Sequence, residues 1–108
     1  MVVSPQVKSL AKEAYLFLSG EDSPVFEDLY TNAQSFYHNV AEWHIANAHV
    51  FESLEEATCR LFDEVMLLEQ KRRKETRIHS GFDGMNDAVK ENYSVLAQWH
   101  MGLVMRER

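Results

Sequence analysis

A chain of 108 residues has enough material for one hydrophobic core and not two, so residues 1–108 read as a single domain. Its apolar content of 45%, with 6 Phe, 2 Trp and 4 Tyr, argues against disorder, while 4 Gly and 2 Pro are too few for the turns of a many-stranded sheet. A net charge of −6, a single cysteine and the lack of any apolar run of bilayer length argue against a nucleic-acid binder and exclude an internal disulfide and a transmembrane helix.

The first residues carry neither the basic head nor the apolar run of a signal peptide, and a cytoplasmic location is expected. Charge is unevenly spread. Between Lys12 and Arg60 there are nine carboxylates (Glu13, Glu21, Asp22, Glu27, Asp28, Glu42, Glu52, Glu55 and Glu56) and no Lys or Arg. A basic patch follows in Lys71, Arg72, Arg73, Lys74 and Arg77. Such asymmetry steers association and opposes nucleic-acid contact over the acidic part.

In chain order, Ser4 and Pro5 form a helix start, a hydroxyl N-cap followed by the one residue whose missing donor costs nothing there. Val7, Leu10, Ala14 and Phe17 recur at helical spacing, with Ala11 and Leu18 widening the face, and Gly20 supplies the stop. A short first helix over about 5–18 follows. Asp22, Ser23 and Pro24 repeat the start signal, and from Pro24 to Ser80 no glycine interrupts the chain. Phe26, Leu29, Ala33, Phe36, Val40 and Trp43 form one apolar stripe, and Asn47, Val50, Leu54, Ala57 and Leu61 continue its phase.

Taken literally, that stretch is one helix ~80 Å long, which would need a second chain to cover its face. Ser53 and Glu56 instead have the spacing of a capping box, which breaks the stretch into helices over about 24–48 and 53–79. A last helix spans about 83–106. The fold class expected is therefore all-α: an antiparallel bundle of one short and three long helices. The alternative fuses helices 2 and 3 into one long helix in an intertwined dimer.

Shifted by 56 residues, the second helix corresponds to the last. Phe26 matches Phe82, Tyr37 matches Tyr93, Ala41 matches Ala97, and Trp43 and His44 match Trp99 and His100. A duplicated helical hairpin and two helices solving the same packing problem both explain the match. Each Trp falls on the core stripe and each His one position round from it. On parallel helices the two His residues would meet; the plainer expectation is two partly exposed helix-edge side chains.

Candidate chemistry is sparse. His38, Glu42 and His49 share one helix face and could hold a divalent ion, but the Glu-x-x-His tetrad of a di-iron bundle is missing. No cofactor motif is present. Cys59 lies among apolar residues, where a thiol is inert. The run from Arg73 to His79 is similar to the Arg-x(4–6)-His element of the HEPN nucleases, whose polar residue after the arginine is here Lys74. The resemblance covers about ten residues. It implies an RNase acting at a dimer interface, with Arg73 (or Arg72) and His79 as its catalytic pair. The plainer reading is a helix C-terminus whose cations suit the macrodipole.

Tyr15, Tyr30, Tyr37, Phe51 and Met101 lie beside the apolar stripes, and with Glu42, His44 and His100 they form the candidate binding surface. The function expected is a non-catalytic protein–protein interaction module with an acidic second helix: an adaptor, a regulatory or immunity-type protein, or a small chaperone. Its partner would be another protein or a second copy, as in a homodimer, with no membrane contact.

Overall fold

The computed structural model describes residues 4–20, 23–47, 51–73 and 84–106. Four helices account for most of them: α1 (Pro5–Ser19), α2 (Thr31–Ala46), α3 (Leu54–Arg73) and α4 (Asp87–Arg106). Between α1 and α2 stands a single 3₁₀ turn, Phe26–Asp28. No strand occurs among the described residues.

α1 begins as its sequence requires. The Ser4 hydroxyl accepts from the Val7 N–H at 3.2 Å, and Pro5 occupies the first helical position. The helix ends at Gly20, where φ is +85° and ψ 171°, a conformation essentially reserved for glycine; its N–H donates to the Leu16 carbonyl at 2.8 Å. The buried face is Val7, Ala11, Ala14 and Tyr15. Phe17, expected on that face, is 53% exposed. The small Ala11 and Ala14 let neighbouring helices approach closely along their own line, which leaves Leu16 and Phe17 outside it.

The second helix starts later than Ser23 and Pro24 suggest. The chain first turns at Phe26–Asp28, because Phe26 is needed elsewhere. Its ring packs edge-on against Tyr15 and Tyr37, at centroid distances of 6.0 and 6.3 Å. The Tyr15 hydroxyl meanwhile donates to the Pro24 carbonyl at 2.7 Å. Gln34, one turn into α2, holds the bend by donating to the Leu29 carbonyl at 2.8 Å.

The junction between α2 and α3 is a true break. α2 closes at Ala46, and the Asn47 side-chain amide donates back to the Trp43 carbonyl at 2.9 Å. Phe51 is buried and stacks on Trp43, with rings 5.8 Å apart and 4° from parallel. Ser53 then caps α3, its hydroxyl accepting from the Glu56 N–H at 3.1 Å; the Glu56 carboxylate accepts from the Glu52 N–H at 3.2 Å. The alternative of one continuous helix in an intertwined dimer is thereby overturned. The Cα framework measures 32 × 32 × 27 Å, far short of an ~80 Å rod. α4 starts at Asp87 rather than near 83, capped by the Asn86 side chain, whose Oδ1 accepts from the Val89 N–H at 2.9 Å.

Side-chain pairs give the directions. Asn39 donates to Glu69 at 2.7 Å and Trp43 donates to Glu64, so α2 and α3 are antiparallel. Phe62 meets Tyr93 and Phe51 meets His100, so α3 and α4 are antiparallel too. α2 and α4 are therefore parallel. α1 packs chiefly on α2 and α3 on α4, with the ring closed by α2 against α3 and α1 against α4.

Carboxylates collect where helices begin. Glu27 and Asp28 lie in the 3₁₀ turn, Glu55 and Glu56 in the first turn of α3, and Asp87 in that of α4. All favour the positive end of a helix dipole. α2 as folded carries one acid, Glu42, so the acidic second helix expected from the sequence is a set of acidic helix starts instead.

Two substitutions test these ends. Gly20→Ala forces a side chain into the glycine-only region although nothing lies within 4 Å of a Cβ there, so stability should fall by about 1–3 kcal/mol in urea unfolding. Ser53→Ala removes the α3 cap and should cost about 1 kcal/mol with the helical circular dichroism signal retained.

Candidate functional site

The 56-residue echo becomes a contact in the folded chain. His44 sits near the end of α2 and His100 within α4, and their Nδ1 atoms are 2.6 Å apart. Both rings are buried, at 4% and 0% exposure. The surroundings are reciprocal: Trp43 covers His100 at 4.5 Å between centroids, and Trp99 covers His44 at 5.1 Å. The two imidazoles stand nearly perpendicular, at 82°. Phe51 closes one side, 5.8 Å from His100.

Other matched positions behave alike. Val40 and Leu96 are fully buried, as are Ala41 and Ala97. Tyr37 takes an edge-to-face contact from Tyr15 of α1, and Tyr93 takes one from Phe62 of α3. The two helical hairpins thus present equivalent side chains to each other across the centre. Phe82, the remaining match, lies outside the described residues.

Two Nδ1 atoms at 2.6 Å make a hydrogen bond only if one carries a proton and the other a lone pair. The separation is too short to flank a metal ion, since a tetrahedral zinc site holds two imidazole nitrogens roughly 3.3 Å apart. The pair is therefore a buried contact that ties α2 to α4 within the core. Buried as it is, it presents no base or nucleophile to a substrate outside.

Around it, Trp43 is anchored on its outer edge. Its indole Nε1 donates to the Glu64 carboxylate of α3, at the wall of a cleft of about 370 Å³ lined by Glu42, Ala46, Leu67, Leu68 and Lys71 among others. Burial pushes the phenols at the other end of the bundle upward. Tyr93 rises to about 12 through burial and then the nearby Glu69 charge; Tyr37 rises through burial, partly opposed by its hydrogen bond with Ser19.

The structure rearranges the candidate binding surface. Tyr15, Tyr37, His44, Phe51 and His100 are core residues, not surface ones. The bend at residues 23–30 and the segment ahead of α3 fold over the bundle's ends, so more aromatic area is buried than straight helices alone would cover. Met101 is half-buried, while Glu42 and Tyr30 remain exposed, Tyr30 by 89%. Of the ligand line, His38 is half-buried against Phe26 at 5.7 Å, Glu42 is exposed and His49 lies outside the described residues. Burial lowers the His38 pKa, with Glu42 opposing. No group of three potential metal ligands occurs among the described residues.

Arg72 and Arg73 are the last described residues of α3, and Lys71 before them is exposed; Lys74, Arg77 and His79 lie outside the described residues. Cys59 is half-buried on α3. Sequence reading missed Glu64 and Asn39 altogether. Polar residues beside a stripe are read as solvated, and only the α2–α3 register shows that they bond across it.

No protein-family model, curated protein or solved structure matches the chain.

The tyrosine result is checked by phenol absorbance. A spectrophotometric titration should show one tyrosine ionising near pH 12, and Tyr93→Phe should delete that component while leaving the others.

Proposed function

We propose that this protein is a non-catalytic helical module that binds another protein, in the manner of an adaptor, a regulatory or immunity-type protein or a small chaperone. One observation carries the reading. Of eight large hydrophobic side chains exposed among the described residues, four (Leu16, Phe17, Val25 and Tyr30) belong to the end of α1 and the bend that follows it. Leu16 and Val25 line a cleft of about 310 Å³ with Pro24, Tyr15 and Phe26. Solvated apolar area of this kind is what a partner covers.

The rim supports an apolar rather than a charged mode of recognition. Lys12 and Glu27, both lining the cleft, already form an ion pair, which holds the Glu27 carboxyl below its usual pKa. The partner is therefore expected to offer an apolar segment. The buried histidine pair fits this reading as part of the scaffold rather than as a catalytic centre. Among the described residues no helix is long and apolar enough to cross a membrane. A cytoplasmic location goes with this proposal.

The test is a double substitution, Leu16→Glu with Phe17→Glu. Both residues are half exposed, so the unfolding midpoint should stay near that of the parent. A partner isolated with the parent protein should lose at least tenfold in affinity for the variant, as about 1.4 kcal/mol or more of apolar contact is lost. Sedimentation of the parent alone distinguishes a second copy from a different protein. Unchanged binding by the variant removes this surface from consideration.

A further inference from the structure

A second apolar strip lies away from the end of α1. Leu67 on α3 is 55% exposed and lines the cleft of about 370 Å³ between α2 and α3, with Leu68 and Ala46 beside it. Charge of opposite sign stands at the two ends of this strip. Glu64 and Lys71, both lining the cleft, are two helical turns apart on α3, so they share a face with Leu67 and Leu68 between them. Glu42 joins from α2, one residue before Trp43, whose indole holds the Glu64 carboxylate in place. Among the described residues no ion pair joins Lys71 to either carboxylate. Arg72 and Arg73 follow Lys71 in the chain and add to the positive end.

We propose that this α2–α3 face docks on a second copy of the chain, with a twofold axis between Leu67 and Leu68, so that Lys71 of each copy meets Glu42 and Glu64 of the other. The pattern is its own complement. A strip with carboxylates at one end and a cation at the other, turned by 180° onto itself, sets each charge against its opposite. The point halfway between positions 64 and 71 falls between Leu67 and Leu68, so the axis that pairs the charges also brings the two exposed Leu67 side chains together. No partner of a single charge sign fits as well. A basic segment would meet Lys71, and an acidic one would meet Glu42 and Glu64; the same strip in reverse satisfies both ends.

Each chain keeps its own four-helix bundle in such a dimer, unlike an intertwined pair of fused helices. The cleft at the end of α1 shares no lining residue with this one, so the two surfaces are tested separately.

The experiment is analytical ultracentrifugation of the full chain from about 1 μM to 1 mM. The parent is expected to pass from monomer to dimer within that range. Leu67→Asp, Lys71→Glu and Glu42→Lys each alter an exposed side chain, so circular dichroism and the unfolding midpoint should stay near those of the parent. Each should raise the dimer dissociation constant at least about tenfold. Glu42→Lys combined with Lys71→Glu exchanges the charges, and should associate at least about threefold more tightly than either single variant, where independent losses would add. Leu16→Glu with Phe17→Glu should dimerise as the parent does. A parent that stays monomeric throughout overturns the proposal, as does a dimer indifferent to Leu67→Asp and Lys71→Glu, or additive losses in the exchanged pair. Dissociation by Leu16→Glu with Phe17→Glu moves the interface to the end of α1 and likewise overturns it.

Discussion

Two imidazoles come within 2.6 Å inside a core only when one donates and the other accepts, and the helices around them must be spaced to permit it. That spacing is visible three residues upstream on each helix, where Ala41 and Ala97 are fully buried and project almost nothing. Each tryptophan then lies over the histidine of the opposite helix. The result is a closed arrangement in which neither hairpin completes its own core. Each supplies the other with a large ring and a polar edge, so the two halves are coupled through a hydrogen bond that has direction as well as apolar area.

The rest of the bundle arranges itself around this seam. At one end an edge-to-face series of Tyr15, Phe26, Tyr37, Phe36, Tyr93 and Phe62 links all four helices and the bend. At the other, Phe51 lies flat on Trp43 and turns the chain from α2 into α3. Asn39 to Glu69 and Trp43 to Glu64 pin the α2–α3 register from outside. Most of the rings beside the apolar stripes are consumed by packing, while Leu16, Phe17, Val25 and Tyr30 stay exposed around the end of α1 and the bend. Scaffold and surface are thus separated: polar directionality lies inside, unspecific apolar area outside.

Local features were legible because they act within one turn. The Ser4 and Ser53 caps, the Gly20 stop and the helical periods of Val7–Ala11–Ala14 and Leu61–Val65 rest on neighbours in the chain. The break between α2 and α3 was legible through its cap alone, with no glycine or proline to mark it. The start of α2 was not, since the bend at Phe26 follows from Tyr15, eleven residues earlier. Nor was the burial of Phe51, whose partner lies on the preceding helix.

By itself, then, the order of residues determined an all-α chain, the positions of most helix ends and the match of Trp43 and His44 with Trp99 and His100. Periodicity and capping are local, and a repeat is visible wherever it occurs. Only the tertiary structure decided that the matched histidines face each other rather than solvent, and that the tyrosines beside the stripes are core. A helix wheel shows which side chains share a face, but which faces meet depends on how closely two helices approach. That approach was set here by alanines whose small size carries no signal until a neighbour is packed against them.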